Sequence, residues 1–125
     1  MRWRPTIAVE LGRTWAGPTD DGRWAVGEPG VYVLTTDSRA GAVALMPLLE
    51  RPMADVKEEL GGLAGVERML EAAFETSPYW TARAIAWLEA GFPAGAYREA
   101  LEQAAEDKYV AQGARHAAKR ILAGW

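Results

Sequence analysis

The chain has 125 residues, 50% of them apolar and 25% charged, with a net charge of −3 at pH 7. This is the balance of one globular domain that can bury a core without covalent or metal staples. With no Cys and one His, the sequence excludes disulfides, thiolate nucleophiles and Cys-based zinc sites.

The acidic balance is the wrong sign for a protein that grips a phosphate backbone. Neither half compensates: residues 1–60 carry seven basic and nine acidic groups, and residues 61–125 carry seven and eight. Met1-Arg2-Trp3-Arg4-Pro5 is basic, but no apolar run follows before Glu10, so no secretory signal is read and a cytoplasmic protein is expected. The longest uncharged apolar stretch, 40–49, is interrupted by Pro47 and is too short to span a membrane. Eleven Arg against three Lys, with 24 Ala, suggest a GC-rich bacterial genome.

The first 50 residues read as β. Ile7, Val9 and Leu11 alternate along residues 6–11. Pro18-Thr19-Asp20-Asp21-Gly22 is turn chemistry, followed by Arg23-Trp24-Ala25-Val26 and a second turn at Gly27-Glu28-Pro29-Gly30. Residues 31–36, Val-Tyr-Val-Leu-Thr-Thr, form the strongest strand pattern in the chain. Such close spacing favours an antiparallel meander. Residues 40–49 fit either a further strand, turned at 37–41, or a short helix capped by Ser38 and ended near Pro47; the strand is the preferred reading.

From residue 53 the period becomes helical. Val56 and Leu60 predict a helix over 54–60, stopped by Gly61-Gly62. Val66, Met69, Leu70, Ala73 and Phe74 give the spacing of a core-facing helix. Ser77-Pro78 is a helix start, followed by a stripe of Trp80, Ala84, Trp87 and Leu88 that Gly91 ends. Pro93 opens another helix, with Tyr97, Ala100, Leu101 and Ala104 on one face, and Asp107 caps a last one with Val110, Ala114, Ala117, Ala118, Ile121 and Leu122. Short loops predict two stacked antiparallel hairpins over 65–125. Residues 85–107 hold five acids and one base, whereas residues 108–125 hold four bases and no acid, so these helices should attract each other.

The reading is therefore α+β: an N-terminal antiparallel β-meander of three or four short strands packed on a bundle of four or five helices. It is taken as a single domain over 1–125, with a β-rich part at 1–50 and a helical part at 53–125, because a thin sheet alone cannot bury both faces.

Catalytic patterns are sparse. The two serines, Ser38 and Ser77, have structural uses as turn and cap, and no nucleophile elbow is present. Glu67, Glu71 and Glu75 share a helix face without the Glu-x-x-His partners of a carboxylate metal site. No phosphate-cradling loop is found. No metal site and no cofactor are expected. Residues 29–34, Pro-Gly-Val-Tyr-Val-Leu, resemble the opening strand of the GIY-YIG nucleases. That family's second motif, a Tyr-hydrophobic-Gly strand, has no counterpart in Ala42–Met46, so the resemblance implies only a hydrophobic strand after a turn.

Two features remain. Gln112, Arg115, His116 and Lys119 fall on one face of the last helix. They read either as a recognition face for an acidic partner or as a solvated face beside the acidic helix, with His116 half-buried and hydrogen-bonded. Trp3, Trp15, Trp24 and Trp125 are not explained by helical core spacing. Any two of Trp3, Trp15 and Trp24, if exposed, form an aromatic platform for a peptide, sugar or base; the other reading has Trp15 and Trp24 cover the sheet where it meets the helices, while Trp3 and Trp125, near the two ends, are candidates for partner contact.

Together these point to a small cytosolic bacterial protein-interaction domain without catalysis: an adaptor, an immunity-type inhibitor or a subunit of a larger assembly. The expected partner is another protein, with no membrane. The alternative is a small-ligand binder or enzyme using a Trp-lined pocket between sheet and helices, with Tyr32, Arg115 or His116 as polar groups. A third reading, nucleic-acid binding through Arg2, Arg4, Arg13 and Arg23, ranks last on net charge.

Overall fold

The computed structural model describes residues 2–10, 13–63 and 65–125. The α+β class holds. Four strands, β1 (Ile7–Glu10), β2 (Thr14–Pro18), β3 (Trp24–Glu28) and β4 (Tyr32–Thr35), form one antiparallel sheet in the order β1-β2-β3-β4. Leu11, expected on the first strand, lies outside the described residues.

Two turns set the register. Thr19 closes the first: its N–H donates to the Arg23 carbonyl at 2.7 Å and its hydroxyl accepts from the Arg23 N–H at 2.8 Å. The second is Glu28-Pro29-Gly30-Val31, closed by the Val31 N–H on the Glu28 carbonyl at 2.9 Å. Gly30 sits at φ +79°, the left-handed conformation that the third position of a type II turn requires, and Pro29 suits the second.

Cross-strand partners share a side of the sheet. Ile7, Ala16, Val26 and Leu34 align on one side; Ala8, Trp15, Gly27 and Val33 align on the other. Ala25 and Val26, which point to opposite sides, are both 0% exposed, so β3 is covered on both faces.

Residues 40–49 are helical, contrary to the preferred strand reading. Helix α1 runs Arg39–Leu45 and a 3-10 segment follows over Met46–Glu50. Ser38 redirects the chain: its hydroxyl donates to the Thr35 carbonyl at 2.7 Å and accepts the Gly41 N–H at 3.1 Å. The helix wins because Ala42, Leu45, Met46 and Leu49 then fall on one buried side. A strand would send alternate members of that set to solvent.

Helix α2 (Met53–Leu60) buries Val56 and ends at Gly61, and α3 spans Glu67–Thr76. Within this region α1 packs on β3 and β4, and α2 and the 3-10 segment pack on β1.

The chain forms two compact units, Met1–Ala72 and Ala73–Trp125. The division falls inside α3, not where strands give way to helices, so the first two helices belong with the sheet. The second unit holds α4 (Pro78–Glu89), α5 (Arg98–Glu106) and α6 (Gln112–Ala123). Ser77 caps α4, accepting the Trp80 N–H at 3.5 Å. The buried face of α4 is Thr81, Ala84, Ile85, Trp87 and Leu88. Trp80, read as core, is only half-buried and packs edge-on against Tyr79 with ring centroids 5.1 Å apart.

Two predicted helix starts move. Pro93 does not open a helix: a short 3-10 turn at Gly95–Tyr97 comes first and α5 begins at Arg98. Asp107 does not cap α6. It ends α5, and its carboxylate accepts the Tyr109 N–H at 2.9 Å inside the connecting loop. Val110 is buried in that loop, before the helix starts. Helices α5 and α6 pack against each other, as do α4 and α6. The expected attraction between acidic and basic stretches takes one ionic form in the Arg120–Glu89 pair at 2.6 Å, joining α6 to α4.

Candidate functional site

Trp15 and Trp24 cannot form one platform. Trp15 pairs with Gly27, and Trp24 is three residues before Gly27 on β3, so the two indoles leave opposite sides of the sheet. Both are half-buried. Trp24 lies against the loop at Gly65, where an added Cβ would come 2.3 Å from the indole Cδ1.

Trp3 lines a surface groove. It pairs with Thr19 through an isolated bridge, supported by the Arg4 N–H on the Pro18 carbonyl at 2.9 Å and the Asp20 N–H on the Arg2 carbonyl at 3.0 Å. This places it on the side of Gly17, Ala25, Gly27 and Val33. The three residues between Trp3 and Val33 on that side carry almost no side chain, so the indole from one end of the sheet meets the β3–β4 turn across it. Trp3, Gly30, Val31, Tyr32 and Val33 line a groove of about 230 Å³.

The chemistry of this groove is apolar and aromatic. Val31 is 70% exposed and Tyr32 is 44% exposed, while Trp3 and Val33 are half-buried. Strand β4 is an edge strand, and its sequence, Tyr-Val-Leu-Thr, holds no charge and no Pro to blunt the edge. The Thr36 N–H on the Trp24 carbonyl at 3.0 Å fixes the ladder alternation. Residues 32, 34 and 36 turn their backbone groups toward β3, and Val33 turns its N–H and C=O toward the outer edge.

The C-terminal candidates separate. Gln112, His116 and Lys119 are exposed and Arg115 is half-buried. His116 is thus not the half-buried, hydrogen-bonded residue of the solvated-face reading; it projects from a face whose opposite side buries Ala117 and Ala118. The Arg115 Nε is buried without a hydrogen-bond partner among the described residues. Lys119 lines a second groove with Glu102, Ala105, Glu106, Leu122 and Ala123. Trp125 is 48% exposed, with the Arg98 guanidinium 5.7 Å from its ring centroid.

One ionic contact lies in the β2–β3 turn. Asp21 is held at about 2, below the ordinary 3.8, first by the Arg23 guanidinium that donates to it and then by the Thr19 hydroxyl. Arg23 is raised in return, mainly by the same bond. Both are exposed parts of the β2–β3 turn, and the geometry is structural. Among the described residues no cluster of three or more His, Asp or Glu can hold a metal, and no helix is long and apolar enough to cross a membrane.

Comparisons with family models, with curated proteins and with solved structures return no match for the chain.

Sequence reasoning found Trp3 but missed Val31, Tyr32 and Val33 as its neighbours. The available signal was an uncharged strand directly after a Pro-Gly turn, which leaves the first residues of that strand at the end of a sheet.

Proposed function

We propose that the chain is a protein-interaction domain that takes an extended segment of a partner protein along β4. The observation that carries this reading is the uncharged edge strand beside the Trp3 groove, with Val31 70% exposed. Edge backbone groups supply sequence-tolerant hydrogen bonds to an added strand, and an adjacent pocket selects a side chain. The groove offers an apolar lining to a Leu-, Met- or Phe-sized group. A cytosolic bacterial adaptor, inhibitor or assembly subunit fits this architecture.

The test is differential capture from the native host's extract. Wild type and His116→Ala should enrich the same protein. Val31→Asp, a change at an exposed position, should weaken that interaction at least about tenfold, as expected for a central apolar contact. Equal capture by Val31→Asp would refute the β4 surface as the contact.

A further inference from the structure

We infer that the α5–α6 face of the second unit binds a second copy of this chain, forming a two-fold antiparallel four-helix assembly. The starting point is the groove between the two helices, about 540 Å³ in volume, with Ala105, Leu122 and Ala123 as its apolar lining. The loop at 107–111 and the Arg98–Trp125 contact show that α5 and α6 run antiparallel: the start of one helix meets the end of the other.

The walls of the groove carry opposite charges. Glu102 and Glu106 stand on α5, one helical turn apart, and Lys119 stands on α6. Glu102 pairs with Arg98 along its own helix at 3.1 Å. Glu106 and Lys119 have no ionic partner among the described residues. Glu106 is also at the C-terminal end of α5, whose last turn contains no basic residue. A carboxylate there opposes the helix dipole, and a cation brought in from outside would relieve it.

A second copy supplies that cation by symmetry. A two-fold axis laid along the groove, parallel to the helices, places the partner's α6 over α5 and the partner's α5 over α6 without changing heights. Lys119 is level with the Glu102–Glu106 turn within one chain, so the Lys119 of one copy faces the carboxylates of the other. The contact occurs twice, and the apolar strip of Ala105, Leu122 and Ala123 meets its own image between the two ionic rows. A small-molecule occupant would not need this self-complementary arrangement of opposite walls.

The test is sedimentation equilibrium on the full chain at low ionic strength over a wide concentration range. The wild type should dimerise. Glu106→Lys and Lys119→Glu, both at exposed positions, should each weaken association at least about tenfold, because each places like charges opposite one another twice. An equimolar mixture of the two variants should recover a heterodimer, since both contacts then pair opposite charges. Val31→Asp should dimerise as the wild type does, which keeps this result separate from the β4 reading. A wild type that stays monomeric, variants that dimerise unchanged, a mixture that fails to recover, or loss of the dimer in Val31→Asp would each overturn the inference.

Discussion

Gly27→Ala is expected to be among the most disruptive single-methyl additions in the sheet. A Cβ on Gly27 would lie 2.2 Å from the Tyr32 carbonyl oxygen and 2.8 Å from the Val33 Cα, where ordinary contact begins at 3.4 Å. Both obstacles are backbone atoms, so rotamer changes cannot relieve them. The β4 backbone must retreat by about 1 Å, which weakens the ladder bonds of the flanking pairs Val26–Leu34 and Glu28–Tyr32. Two or three such bonds at about 0.5–1.5 kcal/mol each, less the entropy gained by replacing Gly with Ala, leave a cost of about 2–3 kcal/mol. Gly30→Ala is the control. It has open space but φ +79°, so its cost is only the left-handed backbone, about 1 kcal/mol after the same entropic offset. Urea unfolding followed by tryptophan fluorescence measures both, and hydrogen exchange at the Leu34 amide locates the damage. The reasoning fails if Gly27→Ala is within about 0.5 kcal/mol of wild type, or if Gly30→Ala is the more destabilising change.

Two further outcomes follow from particular side chains. The folded pKa of Asp21 lies below its unfolded value, so its stabilising effect is complete above pH 3.8 and is lost as pH falls through about 2. Asp21→Asn should therefore unfold more readily than wild type at neutral pH, with the difference shrinking below pH 3.8 and vanishing below about 2; a carboxyl NMR titration of Asp21 with an unshifted midpoint would contradict this. Arg115→Met removes a buried Nε that has no hydrogen-bond partner among the described residues while keeping the apolar stem, so it should be neutral or stabilise by up to about 1 kcal/mol in thermal or urea unfolding. A clear loss of stability would show that the guanidinium makes a needed contact.

Much of the fold was legible in local chemistry. The β-branched and aromatic run at 31–36, the Pro29-Gly30 turn and the Ser77-Pro78 start each depend on residues close in sequence, and the structure keeps all three, with the strand at Tyr32–Thr35. Residues 40–49 show where that legibility stops. Their apolar run fits either period, and the decision came from burying Ala42, Leu45, Met46 and Leu49 together once Ser38 had turned the chain. Asp107 shows a second limit, because a carboxylate can serve a loop N–H as readily as a helix cap.

The surfaces divide in the same way. Composition alone determined that disulfide and thiolate chemistry are absent and that the chain is rich in Trp and Arg. Only tertiary structure decided which of them meet. Strand register sends Trp15 and Trp24 to opposite sides, and the small residues Gly17, Ala25 and Gly27 leave a lane that brings Trp3 to Val31–Val33. Helix pairing sets Lys119 opposite Glu102 and Glu106. Local sequence fixes what a segment can do with its own backbone, whereas register and helix pairing depend on residues far apart in the chain.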